Sequence, residues 1–208
     1  MIDNICMFLT NKIRKEMPEI DDERAEVINY GLQNIVGEIP KVFIVFVVAW
    51  VLGIFKETFI TFVVLIPYRG ASGGFHLKTH LGCILTTCFM YCGIAFISKY
   101  IFLSDIIKYI MISIIWVFGI IMIKLYAPAD TENVPILTKK DRRKKQIVSY
   151  ISFSIGLLVA IFIKDNIISN ILIFSNLVQT LTITKLAYKL TNNKYGYEVY
   201  GDTSLQNS

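Results

Sequence analysis

The sequence predicts an all-α fold, a polytopic membrane helix bundle of about six transmembrane helices preceded by amphipathic interfacial helices. Three observations carry that expectation. Hydrophobic residues make up 54% of the 208 and charged residues only 18%, with a mean hydropathy of +0.56, which is too apolar for an ordinary soluble domain. Apolar runs separated by short polar breaks fill the stretch from Val42 to Leu186, as spans of ~20 residues joined by loops would. Under a six-span arrangement, 17 of the 21 lysines and arginines fall on the side of both termini. The positive-inside rule then puts both termini in the cytoplasm of a cell-membrane protein. A single domain, 1–208, is expected. It divides into interfacial helices (1–40), a transmembrane bundle (41–186) with a cytoplasmic basic loop (127–146), and a polar tail (187–208) expected to be mobile from Tyr195 on.

Taken in order, Ile2, Ile5, Cys6, Leu9 and Ile13 recur at helical spacing, and after Pro18 so do Ala25, Ile28, Leu32, Ile35, Val36 and Ile39. They predict two short amphipathic helices. Asp3, Lys12, Arg14, Lys15 and the Asp21-Asp22-Glu23 run break up this region, so it does not read as a cleavable signal peptide. Pro40 is taken as the boundary with lipid, and Glu38 beside it reads as an interfacial charge or a substrate contact. The runs Val42 to Phe55 and Thr58 to Pro67 are each short for a bilayer. A hairpin turning at Lys56-Glu57 is preferred to one bent helix, because a charged pair in mid-membrane is costly. Four further spans follow at Leu81 to Leu103, Ile106 to Ile123, Ile147 to Ile163 and Ile167 to Leu186. Between the middle two, Asp130, Thr131 and Asn133 lie in a turn-rich loop expected to cap helices. The six positive charges from Lys139 to Lys145 set topology and attract anionic lipid. Nucleic-acid binding is not expected, since the charge is local and lacks an aromatic platform.

The chemistry concentrates in one window, Arg69-Gly-Ala-Ser-Gly-Gly-Phe-His76-Leu-Lys-Thr-His80-Leu-Gly-Cys83, which holds both histidines of the chain. A thiol with an ordinary pKa of about 8.5 needs a base to act as a nucleophile at neutral pH. Along a continuous helix, seven residues turn ~700° and rise ~10.5 Å, so His76 and Cys83 would share a face yet stand too far apart to bond. His80, three residues away, would be nearer. Gly70, Gly73 and Gly74 argue against regular helix through the window, and a looped His76 could fold back over the cysteine. Spacing alone leaves the two histidines open. His76, His80 and Cys83 are also zinc-ligand types, but no acidic residue lies between Glu57 and Asp105 to serve as the base of a zinc hydrolase, so neither metal nor cofactor is expected. Cys6, Cys88 and Cys92 read as small apolar fillers. A transporter would place ionisable groups deep in its spans, and the centres of the last four runs hold none. A non-catalytic membrane partner would need no nucleophile.

Arg69, Gly73-Gly74, His76 and Cys83, followed by Tyr126-Ala-Pro-Ala-Asp-Thr-Glu-Asn-Val-Pro135-Ile136 and then a basic run, resemble the accessory gene regulator B (AgrB) family of Gram-positive quorum-sensing systems. The resemblance runs from Gly31-Leu-Gln33 to the last span. It implies a polytopic membrane cysteine endopeptidase that cuts the C-terminal part of a small propeptide, AgrD, and helps to form a cyclic autoinducing peptide. It also implies that Cys83 is the nucleophile, that His76 rather than His80 is its histidine, and that Arg69 matches the family's arginine. On that reading Arg69, Gly73 and Gly74 are candidates to support the oxyanion. Gln33, Glu38, Lys78, Lys139, Lys140, Arg142 and Arg143 are candidates to hold the propeptide, whose amphipathic leader would lie in the membrane interface. Membrane lipid is an expected partner, and a homodimer would suit so thin a bundle.

Overall fold

Polar side chains face inward and apolar ones outward along much of the chain, the reverse of a water-soluble bundle and the arrangement expected where lipid is the solvent. On α3 (Phe55–Ser72), Glu57, Thr58, Thr61 and Tyr68 are buried, whereas Phe59, Val63 and Ile66 are exposed. The computed structural model describes residues 2–17, 19–77, 79–131, 135, 136 and 138–200, and within these the side chains of all but 2–5, 23, 26, 27, 30, 33–35, 80 and 200. Packed against α3 are α2 (Asp22–Val51), α4 (His80–Tyr100), α6 (Lys139–Phe162) and α7 (Asn166–Thr182), with α5 (Asp105–Tyr126) against α6 and α7. Among the described residues there is no strand, only isolated bridges from Gly73 to Ala129 and from Thr131 to Tyr195. The architecture is an all-α helical bundle. Among the described residues three helices, α4, α5 and α6, are long and apolar enough to cross a membrane, and large side chains such as Trp50, Phe89, Phe102 and Phe162 stand exposed around the bundle.

Helix α7 carries a stripe of buried Ser169, Asn170, Ser175, Asn176, Gln179 and Thr180, and several of these bond the last carbonyls of neighbouring helices. Ser169 Oγ donates to the Ala160 carbonyl at 2.9 Å, near the end of α6. Asn170 Nδ2 donates to Ile101 at 2.8 Å and Ser98 at 3.3 Å, at the end of α4. Gln179 does the same for α3. Terminal carbonyls have no partner within their own helix, and lipid offers none, so this stripe ties the bundle together. Two apolar cores flank it. Tyr68, Ile112, Phe153, Leu157 and Leu172 belong to one, formed by α3, α5, α6 and α7. Val45, Ala49, Leu65, Met90 and Tyr91 belong to the other, formed by α2, α3 and α4.

Several boundaries differ from the sequence expectation. The second amphipathic helix does not stop at Pro40 but runs on to Val51 as one helix, α2. Proline's φ suits a helix, and with its ring on an exposed position α2 bears the lost backbone hydrogen bond and the crowding of the Val36 carbonyl. The first amphipathic helix, α1 (Ile2–Glu16), packs against α2, with Cys6 and Thr10 buried at the contact. The hairpin forms: Gly53 takes a positive φ of 67°, and Ile54 N–H donates to Ala49 O at 2.9 Å. Lys99 Nζ closes the turn by reaching the Gly53 carbonyl at 2.7 Å and Glu57 at 3.3 Å. The basic run is not a loop but the opening turns of α6. Thr138 caps that helix, accepting from the Asp141 N–H at 3.1 Å. The last span ends at Thr182 rather than Leu186, because Thr184 starts a separate helix, α8 (Lys185–Leu190). Much of the expected polar tail is ordered too. Tyr188 and Tyr195 are buried and stack with ring centroids 4.0 Å apart, since each brings a large apolar ring with a hydroxyl that finds a partner. A last short helix, α9, spans Gly196–Tyr200.

Candidate active site

Two glycines end α3 and turn the chain toward α4. Gly73 has φ 72° and ψ −147°, and Gly74 φ 142°, conformations open essentially to glycine alone. The turn leans on the segment after α5: Gly74 N–H donates to Ala129 O at 2.9 Å, and Ala129 N–H donates to Ser72 O at 2.8 Å. A Cβ on Gly73 would collide with the Ala129 carbonyl, and one on Gly74 with Thr182. Gln179 braces the same turn with both ends of its amide. Its Nε2 donates to Gly73 O at 2.7 Å and Ser72 Oγ at 2.9 Å, while its Oε1 accepts from Arg69 Nη1 at 3.1 Å. Phe75 N–H reaches Thr182 O at 3.4 Å, and Asn193 Nδ2 reaches the His76 carbonyl at 2.8 Å. His76 thus leaves the helix on a backbone held at four points.

Beyond the turn, Thr79 caps α4 and accepts from the Gly82 N–H at 3.2 Å. The backbone N–H of Cys83 donates to Thr79 O at 3.0 Å, placing the cysteine in the first turn, at the positive end of the helix dipole. A cleft of about 100 Å³ separates the turn from α2 and α4. Glu38, Arg69, His76, Cys83 and Tyr91 line it, with apolar walls from Val42, Phe62, Phe75 and Met90. At ~30 Å³ per water, it has room for a carbonyl group and its immediate substituents. Although His76 keeps one side open to solvent, desolvation at the cleft wall pushes its imidazole below the ordinary pKa, and the Arg69 charge pushes the same way against the opposing Glu38 carboxylate. The ring is therefore neutral, a proton acceptor, at neutral pH. No hydrogen bond joins His76 and Cys83 among the described residues. A second depression, about 110 Å³, runs from His76 past Gly73 and Gly74 and along Ala129–Thr131 to Lys145 on α6.

The segment after α5 is held by a buried ion pair and a tyrosine stack. Asp130 Oδ2 accepts from Arg142 Nη2 at 2.8 Å and from the Ile136 N–H at 3.0 Å. Tyr188 OH donates to Ala129 O at 2.8 Å, Tyr195 OH donates to Ile183 O at 3.0 Å, and Tyr126 stacks on Tyr195.

Of the residues singled out in the sequence, Cys83, His76, Arg69 and Glu38 meet at one cleft, and Gly73 and Gly74 form the turn beside it. Lys139, Lys140 and Arg143 are exposed on the opening turns of α6. Arg142 is instead engaged with Asp130. Lys78, Asn133 and the side chains of Gln33 and His80 lie outside the described residues. The sequence reading missed Gln179, Thr182, Asn193 and the two tail tyrosines. Only the polar stripe Asn170, Asn176, Gln179, Thr180 at helical spacing could have flagged the first of these. Cys6 and Cys92 are buried and Cys88 half-buried. Among the described residues no three His, Cys, Asp or Glu side chains converge as metal ligands.

Comparison with known proteins finds relatives of one family. An AgrB-like protein of Clostridium perfringens is 30% identical over 148 residues, covering 69% of this chain and 68% of its own. One of Listeria innocua is 28% identical over 191 residues, covering 90% of this chain and 91% of its own, and one of Clostridium acetobutylicum is 26% identical over 170 residues, covering 81% and 78%. No solved structure matches. Residues 6–183 match the family described as Accessory gene regulator B, a stretch that includes the turn, the cleft and every helix from α2 to α7, and the chain therefore belongs to that family.

Proposed function

We propose that this chain, a membrane protein of the accessory gene regulator quorum-sensing system, is a cysteine endopeptidase that cleaves the C-terminal part of an AgrD-type propeptide and supports its cyclisation. The observation that carries the reading is the cleft shared by Cys83 and His76 in a chain of this family. His76 takes the proton of the Cys83 thiol, and the sulfur forms a bond to the scissile carbonyl carbon. Catalytic hydrogen bonds of this kind commonly tighten only once substrate is bound. The developing oxyanion meets donors near the turn, the Arg69 guanidinium or the backbone N–H groups about Gly73 and Gly74. Collapse of the tetrahedral species breaks the carbon–nitrogen bond, and His76 returns the proton to the leaving amine. What remains is a thioester on Cys83. A thiol within the bound peptide that attacks it exchanges one thioester for another, so closing the ring requires proximity and exclusion of water rather than ATP.

Both termini, the cleft and the basic turns of α6 lie on the cytoplasmic side in this reading, consistent with the distribution of lysine and arginine. The amphipathic leader of the propeptide rests in the interface beside α1 and the start of α2. An acidic tail of the propeptide follows the second depression from His76 toward Lys145, where Lys139, Lys140 and Arg143 extend the positive surface and anionic lipid competes for it.

Mass spectrometry of the full chain co-expressed with the small peptide encoded beside its gene tests this reading, comparing wild type with Cys83→Ala, His76→Ala and His80→Ala. A truncated or cyclised peptide and a peptide adduct on Cys83 are expected in wild type and His80→Ala and absent from the other two. Intact peptide with all four proteins would end the peptidase reading. Loss in His80→Ala alone would give His80 the role of base.

A further inference from the structure

One buried charge behind the cleft wall has no part in the chemistry above. Lys41, on α2 one residue past Pro40, is only 8% exposed. A lysine that merely marks topology snorkels, keeping its ammonium in water, whereas this one is turned inward. Its Nζ donates to Glu38 Oε1 at 2.6 Å, and Glu38 itself lines the cleft with His76 and Cys83. On the other side the ammonium lies close enough to the Cys83 side chain for a hydrogen-bonding and charge interaction. Removing an ammonium from water is costly unless anions replace the water. Here one carboxylate does so in part, and it is half-exposed, with 53% of its side chain accessible. The next group within reach is the cysteine sulfur.

We propose that Lys41 is a catalytic residue: its ammonium, steadied by Glu38, faces the Cys83 sulfur and stabilises the negative charge that sulfur must carry to attack. The inference rests on Cys83 being the nucleophile, and it divides the work between two residues. His76 accepts the thiol proton and later gives it to the leaving amine. Lys41 keeps all its protons throughout. It pairs with the thiolate before attack, loses that partner when the carbon–sulfur bond forms, and falls back on Glu38. The other titratable groups lining the cleft with Cys83 and Glu38 are Arg69 on α3, His76 in the turn and Tyr91 further along α4. Of these only Arg69 carries a fixed positive charge, and it is engaged with Gln179.

The test is alkylation of the full-length protein, in detergent or lipid nanodiscs, by iodoacetamide, whose neutrality avoids steering by the lysine charge. Cys83 and Cys88 adducts are followed separately by mass spectrometry as a function of pH. Lys41→Met is expected to slow Cys83 alkylation at neutral pH by roughly tenfold or more, with recovery in alkaline solution, as for a thiolate that loses an adjacent cation. Lys41→Arg should keep most of the wild-type rate. Glu38→Gln, which leaves the ammonium undivided, should match or exceed wild type. Cys88, on the same helix, should not respond, whereas a loosened bundle would expose it. Unchanged Cys83 alkylation in Lys41→Met overturns the proposal. If that variant does not fold, slower alkylation in Glu38→Gln overturns it and equal or faster alkylation supports it. Because alkylation needs no propeptide, a Lys41-dependent rate in a protein that leaves the propeptide intact would sink the peptidase reading and leave standing only the activation of Cys83 by Lys41, toward some other substrate.

Discussion

Replacing Gly73 with alanine tests the link between backbone and site most directly. The residue sits at φ 72° and ψ −147°, where a residue with a Cβ pays about 1–3 kcal/mol. The added methyl points into the Ala129 carbonyl, so the two strands of backbone must part. Parting them lengthens the bonds from Gly74 N–H to Ala129 O and from Ala129 N–H to Ser72 O, 2.9 and 2.8 Å, each contributing about 0.5–1.5 kcal/mol. The total destabilisation is about 2–6 kcal/mol if both bonds are lost. His76 is three residues on, so the displacement also moves the proposed base relative to Cys83, and an error of ~1 Å in such a pair costs on the order of a hundredfold in rate. Thermal unfolding in detergent and cleavage of the propeptide by the same preparation read the two effects. Gly70→Ala is the control, since a Cβ there meets nothing within 4 Å and helix propensity favours it. A Gly73→Ala protein as stable and as active as Gly70→Ala would refute the argument that this turn is glycine-only and that it positions His76.

Four further predictions concern the surroundings of that turn. Desolvation at the cleft wall and the Arg69 charge both hold the His76 imidazole below its ordinary pKa, so Arg69→Gln should move the acid limb of the cleavage pH profile upward, toward the usual histidine range; an unmoved limb would discount the charge. By the same linkage, the contribution of His76 to stability is complete above about pH 6.5 and is lost as pH falls from there through the depressed value, because the unfolded chain takes up the proton first, which pH-dependent unfolding measures. Gln179→Leu leaves Ser72, the Gly73 carbonyl and Arg69 without their partner in a buried setting, and should cost about 2–4 kcal/mol in denaturation, a wild-type melting temperature being the result against it. Arg142→Met should cost about 3–5 kcal/mol, the order seen when one member of a buried ion pair is removed, because the Asp130 side chain is only 1% exposed; the double change Asp130→Leu with Arg142→Met should cost less than the two singles combined, and strict additivity would argue against a direct pair.

Much of the bundle was legible because lipid punishes the alternatives. A hairpin near Lys56-Glu57 follows from the cost of a charged pair in mid-membrane; the structure puts the turn itself at Gly53, leaves Lys56 and Glu57 in the first turn of α3, and brings Lys99 across to meet Glu57. Pro40 misled because proline commonly ends helices through its missing N–H and its ring's crowding of the preceding turn, a cost that α2 bears on its exposed side. The basic run looked like a loop for its charge, although Thr138 followed three residues later by Asp141 is a helix-start signature. At the site, the Arg69 to Cys83 window stood out as the only place where histidine and cysteine cluster. What holds that window was illegible for a geometric reason. Gln179 lies more than a hundred residues from Arg69, Ser72 and Gly73, and the partners of Tyr188 on the loop are 58 and 59 residues away. No local pattern encodes such pairings.

The two apolar cores suggest why the site lies where it does. His76 is fixed through its backbone to the first core: the turn rests on Ala129, on Thr182 and Gln179 of α7, and on Asn193 beside the tyrosine stack. Cys83 and Lys41 ride on α4 and α2, whose inner faces form the second core with Val45, Met90 and Tyr91. The cleft is the seam between these two units. Two helices join them: α3, through Tyr68 in the first and Leu65 in the second, and α7, with Leu172 in the first and Phe174 and Val178 packed against the second. A substrate carbonyl bound in that seam touches the proposed base from one unit and the proposed nucleophile and its cation from the other, so the binding energy of a leader peptide lying along α1 and α2 can be spent on closing the distance between them. If this is how the site works, a propeptide shortened at its leader should lose cleavage rate at saturating concentration and not only affinity. A truncated peptide that reaches the full wild-type rate when supplied in excess would show that the seam is already closed without it.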